Sequence, residues 1–310
     1  MRRDDPTPES PIRWGRVTGT VAATTAHVFM EPGRSIPGVA AVGNHRTASK
    51  IDGTLYREMT GPTGAPLMVF VHPNPMDNAA WMYQLAHLST WYRCVAVDLP
   101  GYGRSPRARP GVTLFDLAEA CWDAAEAEGD DPVVLVGCSV GANVVLHMQH
   151  LSPGRTAAVV VSGAGYATEK PHLQRHVDAY RRDGIEYRNA YALQDFSPAF
   201  RSTPLAEWMA GLWTERNDAA DVPSILAMFE ALIQGDPPWF AAIQAPVLIL
   251  TGSEDAAHER AFALRDVLPN AELVTLVGAG HACQLEQPWE FDRHLLDFLD
   301  RRVGLPNIAG

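Results

Sequence analysis

Six short runs of almost unbroken apolar residues punctuate the chain: 67–71, 94–97, 132–136, 157–161, 247–250 and 273–277. Four to six Val, Leu and Ile residues without polar alternation fit strands buried on both faces, the condition of strands in a parallel sheet. Between the runs the apolar spacing lengthens to that of helices. Segment 114–128 opens after Thr113 with its apolar residues on one face; 142–150, 256–267 and 289–303 follow later. Two shorter strands, 46–51 and 53–59, are expected to form a hairpin around Asp52-Gly53. Strand and helix alternate, which predicts an α/β fold with a mostly parallel central sheet flanked by helices.

Segment 165–240 breaks the alternation. It has no strand-like run, and it holds eleven of the chain's aromatic residues (Trp 8, Tyr 8, Phe 10), among them Trp208 and Trp213. Helical pieces at 171–182, 205–213 and 222–234 make it an α-helical lid inserted into the core. The aromatics glue such an insertion down, and some can also line a pocket. The expected division is an N-terminal extension over 1–45, where Pro, Gly and charges interrupt every apolar run, a core over 46–164 and 241–310, and a helical cap over 165–240.

Composition narrows the function. Of 310 residues, 46% are hydrophobic and 20% charged, which excludes a disordered chain, a coiled coil and a collagen-like fibre. The net charge of −11 disfavours partners with phosphate backbones and anionic membrane surfaces. The expected partner is therefore a small molecule rather than nucleic acid or membrane. Four scattered cysteines, Cys94, Cys121, Cys138 and Cys283, show neither zinc-ligand nor disulfide spacing. With no apolar leader after Met1 and no run of about 18 apolar residues, a cytoplasmic location is expected.

The sharpest local signal is Gly137-Cys138-Ser139-Val140-Gly141, a G-x-S-x-G sequence after a buried strand and before a helix. Glycines on either side allow the tight turn that lifts a serine hydroxyl above a sheet, next to a helix N-terminus that favours negative charge. A serine is a weak nucleophile until a base takes its proton. His281, in Gly278-Ala279-Gly280-His281 after the last strand-like run, is placed to do so. His147 and His150 on the helix after Ser139 are expected to pack or face solvent, and the His172/His176 pair lacks a third metal ligand. Asp255, with Glu254 beside it, ends the 247–250 run and is the candidate to orient the imidazole; capping the helix that opens at 256 is the competing role. An acyl-transfer serine needs two N–H donors for the oxyanion. Val140 supplies one and Asn74, between two prolines that cannot donate, the other. Cys138 is expected to be a small residue that fits beneath the turn.

These motifs resemble the α/β-hydrolase fold family, and within it the lid-bearing, esterase-like serine hydrolases. His72, Asn74, Pro75 and Trp81 echo the family's His-Gly-x-Pro…Trp pattern. Asp98-Leu99-Pro100-Gly101-Tyr102-Gly103-Arg104-Ser105 matches its Asp-x-Pro-Gly-x-Gly-x-Ser loop. The likeness runs over about residues 46–303. It implies a triad of Ser139, Asp255 and His281, with Asn74 and Val140 as oxyanion donors and no cofactor or metal. Pro73 departs from the pattern, standing where the family has glycine; proline stiffens that loop.

The expected function is hydrolysis of a small to medium carboxylic ester, lactone or thioester through an acyl-enzyme. Alternatives on the same triad are C–C bond hydrolysis, perhydrolysis or a hydroxynitrile-lyase reaction; a slow-turnover ligand receptor is the alternative of another class. Serine at the elbow, rather than aspartate, argues against epoxide opening and dehalogenation. His72, Trp81, Trp208 and Trp213 are candidates to contact a substrate with an apolar portion.

Overall fold

The computed structural model describes residues 50–125, 131–166 and 170–304. The expected extension over 1–45, most of the first hairpin strand and the end of the 114–128 helix lie outside those residues. Seven strands form one sheet in the order β1-β3-β2-β4-β5-β6-β7: β1 Arg57–Thr60, β2 Leu67–Val71, β3 Arg93–Val97, β4 Val133–Cys138, β5 Thr156–Ser162, β6 Val247–Gly252 and β7 Ala271–Leu276. β1 pairs antiparallel with β3, Arg57 facing Val97, and every other pairing is parallel. The hairpin around Asp52-Gly53 is not how this edge is built. β1 finds its partner some 40 residues on, and Ile51 bridges to Ala108 instead.

The alternation of side chains along each strand sends them to two separate cores. Val69, Val71, Val95, Leu135, Val159 and Ile249 pack on one face, against α2 Leu114–Ala124, α3 Val140–Leu151 and α8 His258–Val267. Met68, Phe70, Ala96, Val136, Val160 and Leu250 pack on the other, against α1 Met82–Leu88 and α10 Pro288–Val303. Burial on both faces is why β2 to β6 read as continuous apolar runs. The helix ends carry their own signals. Thr113 and Asp116 form a reciprocal capping box on α2, and Gly304 ends α10 in the left-handed conformation at φ +72°.

Between β5 and β6 lie α4 Lys170–Asp183, α5 Glu186–Tyr191, α6 Pro204–Asn217 and α7 Val222–Leu232. Thr203 caps α6 and Asp221 caps α7, each helix having Pro in its first turn. A short α9, Cys283–Glu286, follows β7. Among the described residues no helix is long and apolar enough to cross a membrane, and the four cysteines are free and buried.

Candidate active site

The loops leaving the carboxyl ends of β2, β4, β6 and β7 converge at one edge of the sheet, where open α/β sheets hold their ligands. Ser139 stands between β4 and α3 at φ +55°, ψ −116°, the one non-glycine residue with positive φ among those described. That strained conformation needs close neighbours without Cβ atoms. A Cβ on Gly141 would sit 2.1 Å from the Val71 carbonyl oxygen, and one on Gly137 2.3 Å from that of Gly141. The turn is further pinned by the Ser139 N–H, which donates to the Ser162 carbonyl at 2.9 Å. Val140 is the first residue of α3, so its N–H has no carbonyl a turn earlier in the helix to bond.

After β6, Asp255 is buried, and its Oδ1 lies 3.0 Å from His281 Nδ1. The same oxygen accepts the Ala257 N–H at 2.8 Å, so the orienting and turn-capping roles weighed for Asp255 coexist in one carboxylate. Oδ2 is buried without a hydrogen-bond partner among the described residues. Burial is the largest influence on both groups and opposes charge on each. For His281, the attraction and hydrogen bond of Asp255, with Asp195 adding, outweigh it and push the imidazole up to about 9. For Asp255, His281, the Ala257 N–H and Arg260 prevail and hold the carboxyl below its ordinary value.

Ser139, Val140, Asn74, Asp255 and His281 all line one cavity of about 330 Å3. The apolar part of its wall comes largely from the inserted segment, through Tyr187, Tyr191, Phe196 and Phe229. His72, Trp81, Trp208 and Trp213, the expected substrate contacts, do not line the cavity. Trp81 and Trp213 are core residues, 0% and 1% exposed, while Trp208 lies in solvent at 56%. His72 is fully buried and structural. Its Nε2 accepts the Leu99 N–H at 2.8 Å, which leaves the proton on Nδ1 to donate to the Pro73 carbonyl at 2.8 Å. Burial lowers its pKa and keeps the ring neutral.

His147 and His150 serve packing, whereas His172 and His176 line the cavity. His147 meets Phe115 and Trp239 edge-on and is pushed down to about 4 by burial; His150 stacks on Trp239 at 4.0 Å. His176, likewise pushed down to about 4 by burial, has its Nδ1 2.8 Å from the Tyr187 hydroxyl. No group of three or more metal-ligating side chains occurs among the described residues. Burial raises the Cys138 thiol to about 12, so it stays protonated beneath the turn.

Several buried polar groups around the cavity escape sequence reading. The Asn74 carboxamide oxygen accepts the hydroxyls of Tyr102 and Tyr180, the latter at 2.7 Å, and the Asn74-Pro75 peptide is cis. Glu286 accepts the N–H groups of Ser197 at 3.0 Å and Gly280 at 2.9 Å, and the Ser197 hydroxyl at 2.6 Å. Asp98 accepts the Asn78 and Arg104 N–H groups, shaping the loop after β3. Asn74, Asp98, Tyr102 and Arg104 sit in recognisable motifs, whereas Tyr180, Ser197 and Glu286 do not.

Over 260 residues the chain is 28% identical to the dihydrolipoyllysine-residue acetyltransferase component of an acetoin cleaving system from Pseudomonas putida, spanning 81% of this chain and 68% of that one. It is 25% identical over 249 residues to the carboxylesterase YbfK of Bacillus subtilis, spanning 77% and 82%. The enol-lactonase of Burkholderia xenovorans LB400 superposes with a TM-score of 0.72 at 20% identity, over 80% of this chain and 98% of that one, a likeness of fold. The model of the alpha/beta hydrolase family matches residues 68–291, from β2 into α10. That match spans most of the chain and both sides of the helical insertion, and the chain belongs to the alpha/beta hydrolase family.

Proposed function

We propose that the protein is a serine hydrolase of small to medium carboxylic esters, lactones or thioesters, with 165–240 as a cap over the core. Ser139 Oγ attacks the acyl carbonyl while His281 Nε2 takes its proton. Asp255 holds Nδ1–H, which fixes the tautomer that leaves Nε2 free to accept. The N–H groups of Val140 and Asn74 meet the oxyanion. His281 then returns the proton to the leaving alcohol or thiol, and water activated by the same ring releases the acyl group.

The observation that carries this reading is the 3.0 Å Asp255–His281 hydrogen bond in a cavity shared with a serine held at φ +55°. The aromatic wall from the inserted segment favours a substrate with an apolar portion. Carboxylesterase among the relatives and enol-lactonase among the fold neighbours accord with ester or lactone substrates.

Stopped-flow hydrolysis of p-nitrophenyl acetate tests it. A burst of one p-nitrophenolate per chain is expected, absent in Ser139→Ala. Because the base must be unprotonated, kcat/KM should rise with pH through an ionisation above the ordinary histidine value of about 6.5, toward the value of about 9 that Asp255 imposes. Hydrolysis that survives Ser139→Ala contradicts the reading.

A further inference from the structure

Arg188, on α5, is 5% exposed, yet it belongs to neither the triad nor the oxyanion donors. Its Nη2 donates to the backbone carbonyl of Asn74 at 3.3 Å and to Asp195 Oδ2 at 2.8 Å. The Asp195 carbonyl in turn accepts the N–H of Ala282, the neighbour of His281, at 3.0 Å. One guanidinium thus connects the inserted segment to the two loops on which the proposed chemistry depends. Tyr180, on α4, adds a bond from the same segment to the Asn74 side chain at 2.7 Å.

Stability alone is a poor account of this arrangement. A buried ion pair gains little net energy over apolar packing, and Arg188 Nε is buried without a partner among the described residues. Burial works against the charge on Arg188, and Asp195 leads the groups that sustain it. What the network does is geometric. Asn74 is held by its carbonyl from Arg188 and by its carboxamide from Tyr102 and Tyr180, while the peptide that carries its N–H is held at the Pro73 carbonyl by His72.

We propose that Arg188 is a positioning residue that, with Asp195 and Tyr180, sets the oxyanion donor Asn74 and the His281 loop, making the inserted segment part of the catalytic machinery. The inference rests on the serine-hydrolase reading above and deepens it. Misplacing a donor or base by about 1 Å costs on the order of 10²-fold in turnover without a matching loss of ground-state binding.

The test is steady-state hydrolysis of p-nitrophenyl acetate by the full chain and by Arg188→Met, Arg188→Lys and Tyr180→Phe. Arg188→Met should lose roughly 10–10²-fold in kcat with KM within about threefold. Arg188→Lys should recover part of that loss. Tyr180→Phe removes one hydroxyl and leaves the ring, so it reads the same effect at smaller size should Arg188→Met fail to fold. The pH profile supplies a readout that a scaffolding role would not move. The groups acting on His281 are Asp255 and Asp195, which favour its charge, and Arg188, which opposes it; the ring of His176 lies close enough to interact. Asp195→Asn should therefore move the rising limb of kcat/KM to lower pH and Arg188→Met to higher pH, although both break the same ion pair. If wild-type burst kinetics are present and the folded variants keep wild-type kcat and limb, the positioning role is overturned and the hydrolase reading stands. Wild-type hydrolysis that survives Ser139→Ala overturns both.

Discussion

Within the seven strands the buried side chains are aliphatic, aromatic or Cys, apart from Thr156, Ser162 and Thr251; within the segment between β5 and β6 the buried set includes Arg188, Ser197, Asn217 and Ser224. The first kind of interior is held by transfer of apolar surface from water, which has no direction. It sets strand ends in place and tolerates any side chain of suitable size. The second kind adds to its apolar packing hydrogen bonds that constrain orientation as well as proximity. Those bonds end on Asn74, on Ala282 and, through Ser197 and Glu286, on Gly280. The sheet delivers the candidate catalytic residues to one edge, and the insertion aims two of the loops that carry them.

Substitutions in the two regions should therefore separate activity from stability. The largest expected effect lies at the site both regions serve. Asp255→Asn leaves a group of the same size but removes the charge that raises His281, so kcat should fall by about 10⁴-fold. The residual activity should have its rising limb shifted to lower pH; an unchanged limb would place the control of His281 elsewhere. On the sheet side, Leu135→Ala opens a void in a fully buried strand position. It should cost about 2–5 kcal/mol in denaturant unfolding while kcat, measured well below the transition, stays within about twofold. A large fall in kcat would blur the division. Gly141→Ala should cost about 1–3 kcal/mol through the clash with the Val71 carbonyl, and here activity should fall too, because the strained turn moves. Trp208→Ala, on the outer surface of the insertion, should change stability by less than about 0.5 kcal/mol and leave KM untouched; a raised KM would return Trp208 to the site.

The same contrast explains what the sequence disclosed. β2 to β6 were legible because burial on both faces writes a continuous apolar run; β7, partly buried along most of its length, was read from the shorter stretch 273–277, and Ser139, Asp255 and His281 were legible because each follows such a run. β1 was misassigned to a hairpin. All four of its residues are only partly buried, and nothing local records that its partner is β3. α1, seven residues in the wake of a proline-rich loop, carried too short a period to be seen. Arg188 and Asp195 look like any surface charges, since a sequence does not say which arginine is buried. Trp81 and Trp213 misled for the converse reason: aromatic content marks where apolar surface is needed, not whether it faces a core or a cavity.

The central claim, that Ser139 is made reactive by His281 and Asp255 at the carboxyl edge of the sheet, is tested most directly by treating the folded protein with a fluorophosphonate and mapping the adduct by peptide mass spectrometry. One adduct per chain is expected, on the peptide containing Ser139, with labelling abolished in Ser139→Ala and slowed in Asp255→Asn. A folded chain that takes up no label, or takes it at another residue, contradicts the account.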